Sequence, residues 1–422
     1  MKNTSWVAVC VLAGSALSCA ALAQSNSSVN AGAATATVPA PPSITMAQAM
    51  DAAWRRSVAA VESTGQQRRA LADQEVAQSW LAGSPALSAS QREGRGTATN
   101  GARETEISVA LPLWRPGQRQ RSGAAAQAYE EWAKANELTA KLRLAGQLRE
   151  TASLLWMAQA EARQASEQRR LLADLAADVK RRVAAGDLAR SDAMAARAEL
   201  LAQQAQEANF QQTLQTQTAA WHVLTGLGSP PAPEDQPRPS DVQLALGQHP
   251  EWLQSEAAVH LTQARLALVE SQRGAAPELG LGARQDRPSG GQSAQNSLTV
   301  SLRIPFSTRT HSQPQVAMAL TEHEVALAEQ QRKRLGLASE LALARSAVER
   351  QQALMDTEHE RASLLSERAS LLRISFQAGE TALAELLRAI SAGAQAQASV
   401  SRQQATLFQA RARLQQALGQ LP

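Results

Sequence analysis

Along residues 105–113 the apolar side chains fall on every second position: Ile107, Val109, Leu111 and Leu113 alternate with Glu106, Ser108 and Ala110. A period of two predicts a strand with one apolar and one polar face. The pattern returns 193 positions later, where Val300, Leu302, Ile304 and Phe306 alternate with Thr299, Ser301 and Arg303, and Pro112 recurs as Pro305. Elsewhere the apolar positions follow the helical period. Leu171, Leu172, Leu175 and Val179 share one face, as do Leu364, Leu365, Leu371 and Leu372. Such Ala- and Leu-rich stretches, with Gln, Glu and Arg on the other faces, predict long helices packed as antiparallel coiled coils.

Gly and Pro cut this pattern into elements. A first helix is expected from residue 43 or 45 to about 81, ended by Gly83, Ser84 and Pro85. Strands over about 86–92 and 104–113 flank a loop rich in Gly, Thr and Asn. A helix over about 118–185 follows, roughly 100 Å long at 1.5 Å per residue. Gly186 breaks it, and another helix runs over about 189–224. Residues 227–240 read as a Pro-rich linker. The second half repeats the plan: a helix over about 241–273, strands over about 278–287 and 298–306, a long helix over about 313–378, a break at Gly379 and a last helix ending near Gly419. Pro85 recurs as Pro277 after 192 positions, and Gly186 and Gly226 recur as Gly379 and Gly419 after 193. Matching breaks at one spacing predict duplication of a helix–hairpin–helix–helix unit, a first repeat over 43–226 and a second over 241–419.

Composition narrows the reading. Of the 422 residues 44% are hydrophobic but only 3% aromatic, which suits helices packed through Ala and Leu rather than an aromatic-filled core. The 42 Lys and Arg oppose 38 Asp and Glu, and the signs are mixed, so no basic stripe points to nucleic acid. Residues 1–23 read as a signal peptide, with Lys2, an apolar run over 7–17 and the small-residue cleavage site Ala21-Leu22-Ala23; residues 24–42 read as an extended arm. Cleavage after Ala23 removes Cys10 and Cys19, and with them disulfide and thiolate chemistry. Lipidation of Cys19 is the competing reading. Past the signal no run of 18 apolar residues occurs, so a barrel or an anchor is the way into a membrane. A lone hairpin is not stable, and its apolar face needs lipid or a partner sheet. Two hairpins supply too few strands to close a barrel, so several copies would have to pool theirs. The alternative is a small soluble sheet packed on a helix.

The sequence holds no nucleophile elbow, P-loop, dinucleotide fingerprint or His-Glu-x-x-His. No enzyme activity, cofactor or metal site is expected. Glu322-His323-Glu324 and Glu358-His359-Glu360 suggest metal only on paper, because successive helical side chains diverge by about 100°.

Taken together, the signal peptide, the doubled unit and the two Gly breaks resemble outer membrane efflux ducts of the TolC type, over about residues 45–419. The most specific part is the turn after each long helix. There Gly186 is followed six positions on by Asp192, then by Ala196 and Arg197; Gly379 is followed six positions on by Glu385, then by Arg388 and Ala389. The run Arg181-Arg182-Val183-Ala184-Ala185-Gly186 looks most like the outer membrane subunits of cobalt–zinc–cadmium efflux systems. The resemblance implies a mainly α fold with a small membrane β part: a homotrimer whose α-helical barrel is continued by a pooled β-barrel of about twelve strands. Ile107, Val109, Leu111, Val300, Leu302 and Ile304 would face outer membrane lipid. The periplasmic tips, at Gly186, Asp187, Leu188, Gly379, Glu380 and Thr381, would meet an adaptor protein and, through it, a proton-driven inner membrane pump. Asp192, Glu385 and Arg388 would form the gate. Arg388 departs from the family, which has an acidic residue there, and Thr381 stands where an arginine is common. The implied function is export of divalent metal cations. Drug or polypeptide export, and a periplasmic coiled-coil scaffold or lipoprotein without a pore, are the alternatives.

Overall fold

The computed structural model describes residues 44–95, 101–232, 246–272, 274–290, 293–306 and 309–422. The expected signal peptide and arm, and most of the expected linker, lie outside them. Seven helices and four strands make up the described chain: α1 (Met46–Arg56), α2 (Val58–Gln78), β1 (Ala86–Glu93), β2 (Arg103–Pro112), α3 (Gln118–Ala185), α4 (Arg190–Thr225), α5 (Pro250–Ser271), β3 (Glu278–Arg287), β4 (Gln295–Arg303), α6 (Arg309–Gln377) and α7 (Leu383–Ala417).

The expected first helix is two helices. Thr45 opens α1 with a capping box: its hydroxyl accepts from the Gln48 N–H at 3.2 Å, and Gln48 Oε1 accepts from the Thr45 N–H at 3.0 Å. Ser57 then takes an extended backbone, φ −77° and ψ 144°. Its hydroxyl donates to the Trp54 carbonyl at 2.8 Å and accepts from the Ala60 N–H at 3.1 Å, closing α1 and capping α2. A serine can offer the backbone such a local alternative without disturbing the apolar period. The helix expected from 241 likewise begins only at Pro250, after a short 3-10 turn, with His249 Nδ1 accepting from the Glu251 N–H at 3.2 Å.

The strands form one antiparallel sheet in the order β1-β2-β3-β4, so the two hairpins join across β2 and β3, with Ile107 opposite Ala283. β4 starts before the expected residue 298 and stops at Arg303. Ile304, expected on the strand face, therefore lies just past the strand. Pro305 has no N–H for the ladder and constrains the residue before it.

Helices lie abreast as a wall. Near the sheet α3 runs between α2 and α5: Gln74 Nε2 donates to Glu130 at 2.5 Å, Arg119 Nε to the Ala77 carbonyl at 3.1 Å, and Arg121 Nη1 to the Ala267 carbonyl at 3.0 Å. Farther along α3 runs between α4 and α7: Arg169 pairs with Glu207 at 2.7 Å and Arg402 with Glu161 at 3.2 Å. α6 follows α5 and then α7, tied by Lys333 to Glu251 at 2.7 Å and by Arg411 to Gln352 at 3.0 Å. At each level four helices are side by side, with α2 and then α4 at one margin and α6 at the other. α1 packs where the partners of α3 change over. Its Met46, Ala49, Met50 and Ala53 bury against Leu144, Ala145, Leu148, Ala152 and Leu155 of α3 and Trp221 of α4. Alanines at this contact let the helix axes approach closely. Beside it Arg149 is 2% exposed and donates to the Gln420 carbonyl at 2.9 Å. Burial pulls its guanidinium down to about 10.

Candidate functional site

Two regions concentrate the residues singled out by sequence. The first is the sheet. Its register aligns Leu87, Val109, Leu281 and Val300 in one cross-strand row, and Ala89, Ile107, Ala283 and Leu298 in the next. Leu111, Leu279 and Leu302 form a third row on the same face. The other face carries small and polar rows: Ser88, Ser108, Gly282 and Thr299, then Ser90, Glu106, Arg284 and Ser297. Arg284 pairs there with Glu104 at 3.2 Å and Asp286 at 3.0 Å. Among the described residues nothing covers the apolar face at its edge: Leu298 is 87%, Val300 72% and Leu302 60% exposed. β2, β3 and β4, of 10, 10 and 9 residues, reach the roughly 9 to 11 that a tilted membrane strand needs, and β1, of 8, falls one short. At the helix end of the sheet, Phe306 is 95% and Trp80 91% exposed, and Trp114 Nε1 donates to the Ser79 carbonyl at 2.9 Å. Phe306 closes the second strand pattern, whereas Trp80 lies in the connection after α2, where no period marks it. No described helix is long and apolar enough to cross a membrane.

The second region is the far end of the wall, where α3 turns into α4 and α6 into α7. Gly186 and Gly379 take φ of 89° and 83°, a left-handed backbone that glycine adopts without a Cβ clash. In the first turn the Gly186 N–H donates to the Val183 carbonyl at 3.1 Å and the Asp187 N–H to the Arg182 carbonyl at 2.9 Å. In the second the Gly379 N–H donates to the Phe376 carbonyl at 3.1 Å and the Glu380 N–H to the Ser375 carbonyl at 3.0 Å. One apolar cluster joins the turns: Leu172, Val179 and Ala196 from the first pair of helices, Phe376, Leu383, Leu386 and Ile390 from the second. Leu188 packs against it, whereas Gly186, Asp187, Gly379 and Glu380 are exposed.

The expected gate residues sit just inside these turns. Asp192 accepts from the Ala189 N–H at 3.2 Å, holding the first turn of α4. Glu385 occupies the corresponding place in α7, and a carboxylate in either position favours the positive end of its helix dipole. Arg388 Nε donates to the Ala384 carbonyl at 3.2 Å, within its own helix. Among the ion pairs of the described residues, none joins Asp192, Glu385 and Arg388 to one another. Thr381 Oγ1 donates to Ser375 Oγ at 2.7 Å.

A residue outside that set makes the tie between the turns. Arg182, in the last turn of α3, donates to the carbonyls of Phe376 and Gln377 at the end of α6, both at 3.2 Å. Its guanidinium lies 5.2 Å from the centre of the Phe376 ring, and its Nε is 3.3 Å from Asp178 Oδ2. Arg182 thereby adds a second donor to the Phe376 carbonyl, which already accepts from Gly379, and a donor to the Gln377 carbonyl at the end of α6. Arg182 belongs to the sequence run that carried the family likeness, but its backbone partners lie 194 and 195 positions away and have no sequence signature.

No family model and no curated protein matches the chain. Solved structures do. The outer membrane protein VceC from Vibrio cholerae aligns with a TM-score of 0.70 at 15% identity over 89% of this chain and 96% of that one. The Campylobacter jejuni CmeC outer membrane channel aligns with a TM-score of 0.72 at 14% identity over 94% and 93%. The open state of the Neisseria gonorrhoeae MtrE outer membrane channel aligns with a TM-score of 0.71 at 16% identity over 89% of each chain. The mainly helical chain with a small antiparallel sheet has the fold of these channels, as the resemblance implied.

Proposed function

We propose that the chain is a passive outer membrane exit duct. In this reading it is a homotrimer whose sheets pool into one barrel of about twelve strands. The helical walls close into a periplasmic tube at whose tips an adaptor and, through it, a proton-driven inner membrane pump dock. The sheet is the observation that supports this best. Its edge strands β1 and β4 carry exposed side chains throughout, and no described residue covers its apolar rows at that edge. A long open edge beside an uncovered apolar face is avoided in a soluble monomer. β1 and β4 run in opposite directions, so β4 of one copy fits β1 of the next as an antiparallel pair. The wall margins match this geometry, since Val61, Leu71 and Val76 on α2, Leu201 on α4, and Leu335, Leu343 and Leu354 on α6 are exposed. An outer membrane fraction holding a heat-modifiable trimer supports the duct. A soluble, elongated periplasmic monomer contradicts it and leaves the scaffold.

Divalent metal cations are the proposed cargo, supported by the residues around Gly186. Drug or polypeptide export would use the same duct with another pump and adaptor. Growth of a deletion strain on cobalt, zinc and cadmium, against its growth on drugs, separates these.

At the tip we place Asp192, Glu385 and Arg388 as the gate, meeting through different copies rather than within one chain. A three-fold axis crowds like charges, which is costly unless cations or opposite charges offset it. Adaptor contact then opens the tip by favouring the state in which those pairs are broken. The double substitution Asp192→Ala with Glu385→Ala is expected to raise single-channel conductance in a planar bilayer; unchanged conductance removes these residues from the gate.

A further inference from the structure

Each cross-strand row of the sheet lies on one face, so the apolar face can be followed along the strands. From the helix end it runs through Leu111, Leu279 and Leu302, then Leu87, Val109, Leu281 and Val300, then Ala89, Ile107, Ala283 and Leu298. A polar row follows, made of Gln91, Thr105, Gln285 and Asn296. The last row is Glu93, Arg103 and Arg287, with the two arginines directly opposite each other on β2 and β3. Leu111 and Arg103 are eight positions apart on β2. That separation is about 27 Å along a strand at 3.4 Å per residue, or about 21 Å in height at a tilt of about 40°. An apolar membrane band is about 25 Å tall, so a band that starts at the Leu111 row ends close to these arginines.

Like charges directly opposite each other on one face destabilise a sheet. Only one of the two has a counter-charge in the chain: Arg103 Nε lies 3.0 Å from Glu93 Oε1, and among the described residues no ion pair reaches Arg287. Both arginines are exposed. The polar face at the same end is balanced differently. There Arg284 has two carboxylates, Glu104 at 3.2 Å and Asp286 at 3.0 Å, and Arg92 lies 3.7 Å from Glu104. The unmatched cation at this end therefore stands on the face that carries the apolar rows.

We propose that Arg103 and Arg287 form a binding site for a phosphate carried by a glycolipid of the outer leaflet. The site rests on the duct reading above, which turns the apolar face to lipid and the β1–β2 and β3–β4 turns away from the helices, toward the outside. A phosphate between the two guanidiniums replaces their repulsion with charge-assisted contacts, and the planar fork of arginine matches phosphate oxygens in pairs. Inner-leaflet phospholipid meets the opposite, Leu302 end of the same face. The bound lipid sets the height of the sheet in the membrane from its outer rim.

The test measures lipid binding to the purified, detergent-solubilised protein by native mass spectrometry. The probes are lipid A with its phosphates, lipid A stripped of them, and phosphatidylglycerol. Phosphorylated lipid A is expected to bind about tenfold more tightly than the stripped form, because hydrogen bonds to charged groups shift an equilibrium by at least that factor. Arg287→Gln and Arg103→Gln are each expected to remove most of that difference. Arg284→Gln, on the polar face, is expected to leave it unchanged. Equal binding of the two forms of lipid A, or an equal loss from Arg284→Gln, would overturn the site. Phosphatidylglycerol bound as tightly as phosphorylated lipid A, with the same dependence on Arg287, would overturn the outer-leaflet source. Conduction of the same preparation in a planar bilayer keeps the duct separate: a conducting protein with no phosphate preference loses the site alone, whereas a protein that stays soluble without detergent and passes no current loses the duct and the site together.

Discussion

At the tip, Phe376, Leu383 and Leu386 are no more than 3% exposed, packed among helices of their own chain; at the other end Leu298, Val300 and Leu302 stand exposed on an edge strand with no described residue over them. The tip also closes its backbone locally, with left-handed glycines, Asp192 on the Ala189 N–H and Arg182 on the carbonyls of Phe376 and Gln377. The sheet leaves the outer groups of β1 and β4 open. One end is thus closed from within the chain; on the proposed duct reading the other is completed from outside it, by lipid and by other copies. Under the proposed duct reading, the contrast is that of a tube held in a membrane at one end and free to change shape at the other. A tip complete in itself can separate from its neighbours without unfolding, whereas an incomplete sheet cannot leave its neighbours without exposing a row of hydrogen-bonding groups.

The largest effect that sharpens this contrast is a charge on the outer face of the sheet. Val300→Arg, near the middle of β4, is expected on the duct reading to cost about 2 to 4 kcal/mol per copy at the bilayer midplane, and to leave little heat-modifiable trimer in the outer membrane fraction. The same charge at Thr299, on the opposite face, is expected to be tolerated. Equal loss from both would break the two-faced reading. Next, Leu386→Ala hollows the tip core and is expected to cost about 2 to 5 kcal/mol. That loss should appear as proteolytic nicking near Gly379 while trimer yield holds. Loss of membrane insertion from this variant would show that the ends are not independent. Gly379→Ala places a Cβ on a left-handed backbone and is expected to cost about 1 kcal/mol, read as a lower thermal midpoint. The smallest effect is expected midway. Arg149→Met removes a buried guanidinium whose Nη1 has no partner, and is expected to be neutral or to stabilise by about 1 kcal/mol in thermal unfolding.

Periodicity made the sheet legible because a two-faced strand carries opposite chemistry on alternate residues, and the register puts Ile107, Val109, Leu111, Val300 and Leu302 on one face. The long helices and the glycine turns were legible for the same kind of reason, since each is specified by residues next to one another in sequence. The Ser57 break was not, because a serine hydroxyl ends a helix without altering the apolar period. The end of β4 followed Pro305 rather than the alternation that continued through Ile304. At the tip, Asp192 and Glu385 could be placed by spacing from a glycine. Arg182 could not, because it acts on backbone carbonyls of a distant turn, and a carbonyl leaves no trace in residue identity.

The central claim is that copies of this chain close a conducting pore in lipid. Single-channel recording of the purified, detergent-sized trimer in a planar bilayer tests it most directly, with the Asp192→Ala/Glu385→Ala variant alongside. The account predicts discrete, cation-preferring steps that are larger or more frequent in the variant. A homogeneous trimer that inserts into the bilayer yet passes no current in either form would contradict it.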